Sequence, residues 1–134
     1  MSKDHDFRDA RGVAFRLRIR PTPYDPAGPV VVRKPAHMVE RYRRLAQDLQ
    51  GCSMLELGLW DGGSTALFAS LFQPATQLGV DLGERPLREL EKYLERAGRT
   101  HSIHTYSGID QADGPALTGL LSQHASCPLD LVVD

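Results

Sequence analysis

The sequence contains no long hydrophobic run. None of its apolar segments approaches the length of about 20 residues that a membrane-spanning helix needs. The N-terminus, with Asp4, Asp6 and Asp9, also lacks the basic segment followed by an apolar one that marks a secretory signal. We therefore expect a soluble, cytoplasmic protein with no membrane partner.

Cysteine and net charge are also low. Cys52 and Cys127 lie far apart without the spacing of a metal site, which suits a reducing cytoplasm and predicts ordinary buried side chains. His101 and His104 are expected on opposite faces of a strand, so they are not predicted to share a metal. A formal net charge of -1 provides no general attraction to nucleic acid, which is not an expected partner.

A glycine-rich stretch stands out against this ordinary composition. From Ser53 the chain reads SMLELGLWDGGST, an apolar segment that meets Gly58, turns past Trp60 and continues into the apolar run 64–72. Because glycine tolerates positive φ angles, this order predicts a strand, a tight loop and a helix. The tip of such a unit commonly binds a ligand.

The glycine spacing argues against a dinucleotide. In the fingerprint G-x-G-x-x-G, the middle glycine lets the pyrophosphate approach the backbone. Here the three positions are Gly58, Trp60 and Gly63, so an indole fills the space that the pyrophosphate needs. A nicotinamide-dependent oxidoreductase is therefore the weaker interpretation of this stretch.

A second frame, with Glu56, Gly58 and Gly62 at the positions E-x-G-x-x-x-G, resembles another motif. It is similar to the first motif of the class I S-adenosylmethionine-dependent methyltransferases, E/D-x-G-x-G-x-G, with Trp60 replacing the middle glycine. It looks most like the branch written E-x-G-x-x-x-G-G-S. The resemblance extends from about residue 54 to residue 134, over more than half of the chain.

Helical and strand patterns alternate through the rest of this region. Helices are predicted over about 34–51, 64–72, 86–97 and 113–124, and strands from Ser53 and over 77–80, 102–106 and 129–134. Such alternation predicts an α/β fold, a Rossmann-like parallel sheet with flanking helices. The resembled family normally has seven strands. We therefore expect a sheet truncated after its fourth strand, completed by further residues or by a partner chain, and a homo-oligomer is one way to complete it.

The first 35 residues have a different composition. Residues 1–12 are polar and expected to fray, and 15–20 alternate apolar residues with arginines. This alternation predicts a short strand or an extended arm. Its arginines would either form the solvated face of an edge strand or bind phosphates or an acidic partner. Prolines between 21 and 29 predict a linker or surface loop. The predicted domains are thus an arm and linker, 1–35, and half of a methyltransferase domain, 36–134.

Each predicted strand ends near a carboxylate: Glu56, Asp81, Asp110 or Asp134. Because the carboxyl ends of parallel strands meet at one rim, these acids are expected to surround one site. Together they would repel a pyrophosphate but suit a ligand with a sulfonium, an ammonium and two ribose hydroxyls. Any one of them alone could equally cap a helix or turn the chain.

The resemblance implies S-adenosylmethionine as the cofactor and a role for each matching residue. Its methionine part would be surrounded by Gly58, Trp60, Asp61 and Gly62, and its ammonium would be bound by Glu56. Asp81 would bind its ribose hydroxyls, Leu82 would contact its adenine face, and Ile109 or Asp110 would contact its adenine edge. Asp134, the catalytic candidate, would face the methyl group. Ser64 is expected to cap its own helix, with any ligand contact additional.

The resemblance leaves the acceptor and the metal open. In some relatives an aspartate at the position of Asp134 also holds a divalent cation together with residues beyond it, so a cation remains an open cofactor and no metal ligand is predicted here. The acceptor, expected to be a small molecule, is mostly bound by parts of the family beyond residue 134. A non-catalytic fragment that keeps the cofactor half is the third interpretation, beside the methyltransferase and the oxidoreductase.

Overall fold

The computed structural model describes residues 5–99, 102–124 and 128–134, so His101 and Cys127 lie outside the described residues. The described residues form seven strands and four helices. In chain order these are β1 (His5–Arg8), β2 (Ala14–Leu17), β3 (Val30–Val32), α1 (Ala36–Asp48), β4 (Ser53–Leu57), α2 (Gly63–Phe72), β5 (Thr76–Val80), α3 (Arg88–Ala97), β6 (Ile103–Tyr106), α4 (Gly114–Gln123) and β7 (Leu131–Val133).

The main sheet contains four parallel strands in the order β6-β5-β4-β7. Leu57 is aligned with Val80, and Val80 with Tyr106, so three strands end at the same edge of the sheet. Helices α1 and α2 pack on one face, and α4 packs on the other. This is the Rossmann-like α/β arrangement that the sequence predicted.

Side chains along β4 alternate between the two faces of this sheet. Met54 is fully buried with Phe68 and Phe72 of α2, whereas Leu55 contacts the cluster on the α4 side. Cys52 is buried beside the same α2 cluster, as predicted, and burial raises the pKa of its thiol. None of the helices within the described parts of the chain is long and apolar enough to cross a membrane.

The predicted helices are present, but α2 begins differently from expectation. Its N-cap position is Gly62, with a left-handed φ of 86°, and Ser64 lies inside the first turn. The Ser64 hydroxyl donates a hydrogen bond to Glu56, and Gly62, at the N-cap position, makes no side-chain capping hydrogen bond. The prediction that Ser64 caps its helix is therefore wrong, because the glycine turn carries the chain into the helix before Ser64.

The N-terminal region forms a second sheet, in the order β1-β2-β3. Strand β1 pairs antiparallel with β2, and β3 pairs parallel with β2. Two predictions are thereby corrected, since His5–Arg8 does not fray and β2 is a central strand, not an edge. The rings of Phe7 and Phe15 stack at 5.2 Å, and Arg16 forms an ion pair with Asp6 at 2.8 Å.

Helix α2 and the N-terminal sheet share a hydrophobic core. Phe15, Val30 and Val32 are fully buried against Ala66 and Leu67 of the helix. The approach is close, because a Cβ on Gly63 would lie 2.0 Å from the carbonyl oxygen of Val31. The division of the chain at residue 35 stays a prediction; residues on both sides of it contribute to this core.

A buried ion pair also joins α3 to the N-terminal region. Lys92 Nζ lies 2.9 Å from Glu89 Oε1, with both side chains almost completely buried, and donates to the carbonyl of Pro29 at 2.9 Å. The amide of Val31 donates to the same carboxylate at 3.0 Å. Because a buried charge needs such partners, these bonds fix α3 against β3.

Candidate functional site

The loop after β4 turns through three residues with positive φ. Gly58 has a φ of 85°, Trp60 of 53° and Gly62 of 86°. The left-handed region costs a bulky residue such as tryptophan about 1–3 kcal/mol, so surrounding contacts must hold it there. The Trp60 indole is 54% exposed, and the Arg85 guanidinium lies 4.2 Å from its ring centroid. We call residues 58–62 the glycine loop.

Asp81, the first residue after β5, holds the glycine loop through its carboxylate. Oδ2 accepts hydrogen bonds from the amides of Leu59 at 2.8 Å and Trp60 at 3.1 Å, while Oδ1 accepts one from Gly83 at 3.0 Å. Desolvation, the largest single influence, raises the pKa of Asp81, but these amides and the charge of Arg85 together lower it below its ordinary value. The carboxylate is therefore ionised at neutral pH.

A cleft of about 200 Å³ opens beside Asp81 at the carboxyl ends of the strands. We call it the strand-end cleft. Its walls combine apolar side chains, hydroxyl groups, one carboxylate and one guanidinium, and its lining residues are Leu59, Asp81, Gly83, Arg85, Leu87, Thr105, Tyr106 and Ser107. A cleft at this edge of a parallel sheet is the usual position of a ligand in open α/β folds.

Glu56 lies beneath the glycine loop, not on the rim. Glu56 is only 2% exposed, and its carboxylate accepts hydrogen bonds from the hydroxyls of Ser64 and of Thr65, the latter at 2.7 Å. Burial, the dominant influence, raises its pKa to about 7 against these hydrogen bonds and the charge of Lys34. Glu56 therefore anchors the start of α2, and the predicted rim of four acids lacks this member.

Asp61 faces the N-terminal region. Its Oδ1 accepts from the amide of Gly63 at 3.3 Å, and its Oδ2 lies 3.9 Å from Arg33 Nε, an ionic contact rather than a hydrogen bond. Its carbonyl accepts from the amide of Glu89 at 3.0 Å. Asp61 thus connects the glycine loop to α3 and to the residue just after β3.

The remaining predicted residues lie around the same edge of the sheet. Leu82 is 67% exposed, and the amide of Ile109 donates to the carbonyl of Asp81 at 3.1 Å. The carboxylate of Asp110 accepts from the amide of Ala112 at 2.9 Å, which is a local turn contact. Asp134 is exposed and follows β7 directly. Their roles toward a cofactor stay predictions.

Several residues of the strand-end cleft were not identified from the sequence. Thr105 and Tyr106 end β6, so the rule that strand ends converge could have identified them. Arg85 has no comparable signal, because its place over the indole depends on the path of the loop after β5. Tyr106 also forms a hydrogen bond with His124, whose ring lies 4.3 Å from that of His104.

The described residues contain no cluster of candidate metal ligands. Within residues 5–99, 102–124 and 128–134, no group of three or more histidine, cysteine, aspartate or glutamate residues is placed to hold a metal ion.

Comparison with known sequences finds no matching protein family and no matching curated protein. Solved structures do match. Cofactor-bound Rv0187 from MTB is 23% identical with a TM-score of 0.53, over 74% of this chain and 43% of that chain. A protein from Streptococcus mutans assigned as a SAM-dependent methyltransferase is 11% identical with a TM-score of 0.59, over 98% of this chain and 32% of that chain. The chain thus spans less than half the length of either structure, and the likeness establishes the shared fold.

Proposed function

We propose that this chain is the cofactor-binding part of an S-adenosylmethionine-dependent methyltransferase that acts on a small molecule. One observation carries the proposal: Trp60 occupies a left-handed position in the glycine loop, where a dinucleotide-binding loop needs an open glycine, and its indole is exposed. The fold shared with the Streptococcus mutans protein supports the same conclusion.

The strand-end cleft suits a nucleoside in its chemistry. Leu59 and Leu87 provide apolar walls, and the ionised Asp81 provides an acceptor for hydroxyl groups. A carboxylate has about four lone-pair sites, and three amides already occupy part of this capacity. Asp81 therefore has room for one further hydroxyl, and binding two ribose hydroxyls would require it to release one of these amides.

Glu56 would act differently from its expected role. Because both of its oxygens accept bonds from Ser64 and Thr65, its direct function is to orient the first turn of α2. The buried position leaves only an indirect route, through water, to an ammonium group on the rim. A positively charged ligand nearby would nevertheless favour the ionised form of this carboxyl.

S-adenosylmethionine, if bound here, would supply a methyl carbon activated by a sulfonium for transfer to a lone pair of the acceptor, with sulfur keeping the carbon–sulfur electron pair and the acceptor's proton passing to a base or to water. The chain's contribution would be alignment by the glycine loop and Asp81. Asp134, exposed after the strand that pairs with β4, is our candidate to accept that proton or orient the acceptor.

Calorimetric titration with S-adenosylmethionine, S-adenosylhomocysteine and NAD tests this proposal. We expect both S-adenosyl compounds to bind and NAD to bind much more weakly. Binding of NAD alone would support the oxidoreductase interpretation, and binding of none of the three would support a non-catalytic module.

Asp81→Ala provides a sharper test of the site. Loss of the carboxylate should weaken S-adenosylhomocysteine binding by about 1–3 kcal/mol, through the lost hydroxyl bond and the released loop. Asp48→Ala, at an exposed carboxylate that ends α1, is the matched control and should bind like the parent. Unchanged affinity in Asp81→Ala would contradict our placement of the ribose.

A further inference from the structure

A second cavity, of about 440 Å³, lies between the N-terminal sheet and the start of α1. We call it the basic cavity. Its described lining residues include four that carry or can carry a positive charge, and none of those described is acidic; they are His5, Leu17, Arg18, Ile19, Arg20, Pro21, Thr22, Lys34, Pro35 and Ala36.

The arginines of β2 and the residues after it do not form one uniform solvated face. Arg16 is paired with Asp6 in the neighbouring strand at 2.8 Å. Arg18 and Arg20, two and four residues further on, line the basic cavity. These two arginines therefore contribute positive charge to a concave surface.

Arg33 connects the wall of the basic cavity to the glycine loop. Its guanidinium donates to the carbonyl of Arg20, and to that of Thr22 at 3.4 Å. On its other side, Nε lies 3.9 Å from the carboxylate of Asp61. The segment that lines the cavity is thus positioned by a residue that also contacts the candidate cofactor site.

Lys34 also lines the basic cavity, and it lies near Glu56. Its ammonium lies 5.7 Å from the ring centroid of Tyr42 and 5.9 Å from that of Phe68. Its charge also lowers the pKa of Glu56, beneath the glycine loop. The basic cavity is therefore linked to the glycine loop through Arg33 and to Glu56 through the charge of Lys34.

We propose that the basic cavity binds a small molecule through a carboxylate or phosphate group and that, if the proposed function holds, this molecule is the methyl acceptor. Guanidinium and ammonium groups bind both anions through charge-assisted hydrogen bonds. The apolar side chain of Ile19, which is 61% exposed, would contact the remainder of the ligand. A volume more than twice that of the strand-end cleft, about 440 against about 200 Å³, provides room for more than an inorganic ion.

Calorimetric titration with phenyl phosphate, benzoate and benzyl alcohol tests the recognised group, because the three probes share a ring and differ in charge. We expect at least one of the two anions to bind at neutral pH and low salt, at least tenfold more tightly than benzyl alcohol. The tighter anion identifies the phosphate or the carboxylate as the recognised group. Failure of both anions to bind, or equal binding of benzyl alcohol, would overturn the proposal.

Variants locate the binding. Arg20→Gln removes an exposed charge from the cavity wall and should weaken anion binding at least about fivefold, an effect expected of one charge-assisted hydrogen bond. Lys34→Gln should weaken it similarly. Arg41→Gln, at an exposed position on α1, is the matched control and should leave the affinity unchanged. An equal loss in the control, or none in Arg20→Gln, would place the binding elsewhere and refute the cavity assignment.

Titration of the same samples with S-adenosylhomocysteine separates this inference from the proposed function. If the anions bind and S-adenosylhomocysteine does not, the cavity is an anion site but the acceptor role is refuted. If S-adenosylhomocysteine binds and neither anion does, the inference fails while the proposed function stands. Binding of both, with Arg20→Gln affecting only the anion, supports the inference as stated.

Discussion

Helices α2 and α4 each have ten residues, begin with glycine and are largely apolar, yet they occupy different environments. Six residues of α2 are buried, whereas every residue of α4 retains partial exposure. Helix α2 lies between the main sheet and the N-terminal sheet, and its outer side is covered by Phe15 and Val32. Apolar composition alone therefore does not determine burial, because a second layer is needed to cover the outer side of a helix.

Leucine truncation in the two helices should give the largest difference between them. Leu67→Ala removes a completely buried side chain between α2 and the N-terminal sheet and should reduce the free energy of unfolding by about 2–5 kcal/mol. Leu120→Ala, at a partly buried side chain of α4 that packs against the main sheet, should cost about 1 kcal/mol. Chemical denaturation measures both. Equal losses would show that α4 is covered as completely as α2.

The acidic groups at the starts of the two helices lie in different surroundings, and burial makes the stability contribution of Glu56 depend on pH. The pKa of Glu56, beneath the start of α2, is raised by burial to about 7, whereas the Asp113 side chain caps α4 by accepting from Ala116 at 3.1 Å. Between about pH 4.5 and pH 7, folded Glu56 keeps a proton that the unfolded chain has lost. Its contribution to stability is therefore present at low pH and falls as the pH rises, by about 3 kcal/mol in total.

Glu56→Gln should remove this dependence. The difference in unfolding free energy between variant and parent should shift in favour of the variant from pH 5 to pH 8, since glutamine does not ionise. Denaturation at a series of pH values measures it. A parallel pH profile for Glu56→Gln and the parent would contradict the raised pKa.

Glycine replacement should give the smallest loss of the three tests, but with changes of opposite sign in the two helices. In Gly63→Ala the new Cβ would lie 2.0 Å from the backbone oxygen of Val31, so the two layers must separate, at a cost of about 1–3 kcal/mol. In Gly119→Ala, within α4, no atom lies within 4 Å of the new Cβ, and the helix should gain about 0.5–1 kcal/mol. Shifts of opposite sign in thermal unfolding are expected; a loss in both variants would contradict the open space around α4.

The parallel sheet could be predicted because its signals are local. Each of its strands and helices has its own hydrophobic period, and the glycines after β4 indicate where the chain turns. The N-terminal sheet could not be predicted in this way. Strand β3 has only three residues, Val30–Val32, after a proline-rich segment, and its parallel pairing with β2 depends on a contact between distant segments.

The candidate site shows the same limit. The position of Asp81 at the end of its strand followed from the apolar run 77–80 before it, but its bonds to the amides of Leu59 and Trp60 depend on the path of the loop. The burial of Glu56 could not be predicted from the sequence either, because it depends on how Ser64 and Thr65 approach it across the turn. Sequence patterns identified these acids near the ends of strands, whereas three-dimensional packing determines which of them are buried.

The side chain of Arg33 has a consequence for the affinities of two ligands. Its Nε contacts Asp61, and its terminal nitrogens donate to the carbonyls of Arg20 and Thr22. If a cofactor at the glycine loop displaces Asp61, the same displacement reshapes the basic cavity, and the cofactor and the anion then alter each other's affinity by an equal factor. Titration of the anion with and without saturating S-adenosylhomocysteine would reveal this as a change in the dissociation constant of the anion.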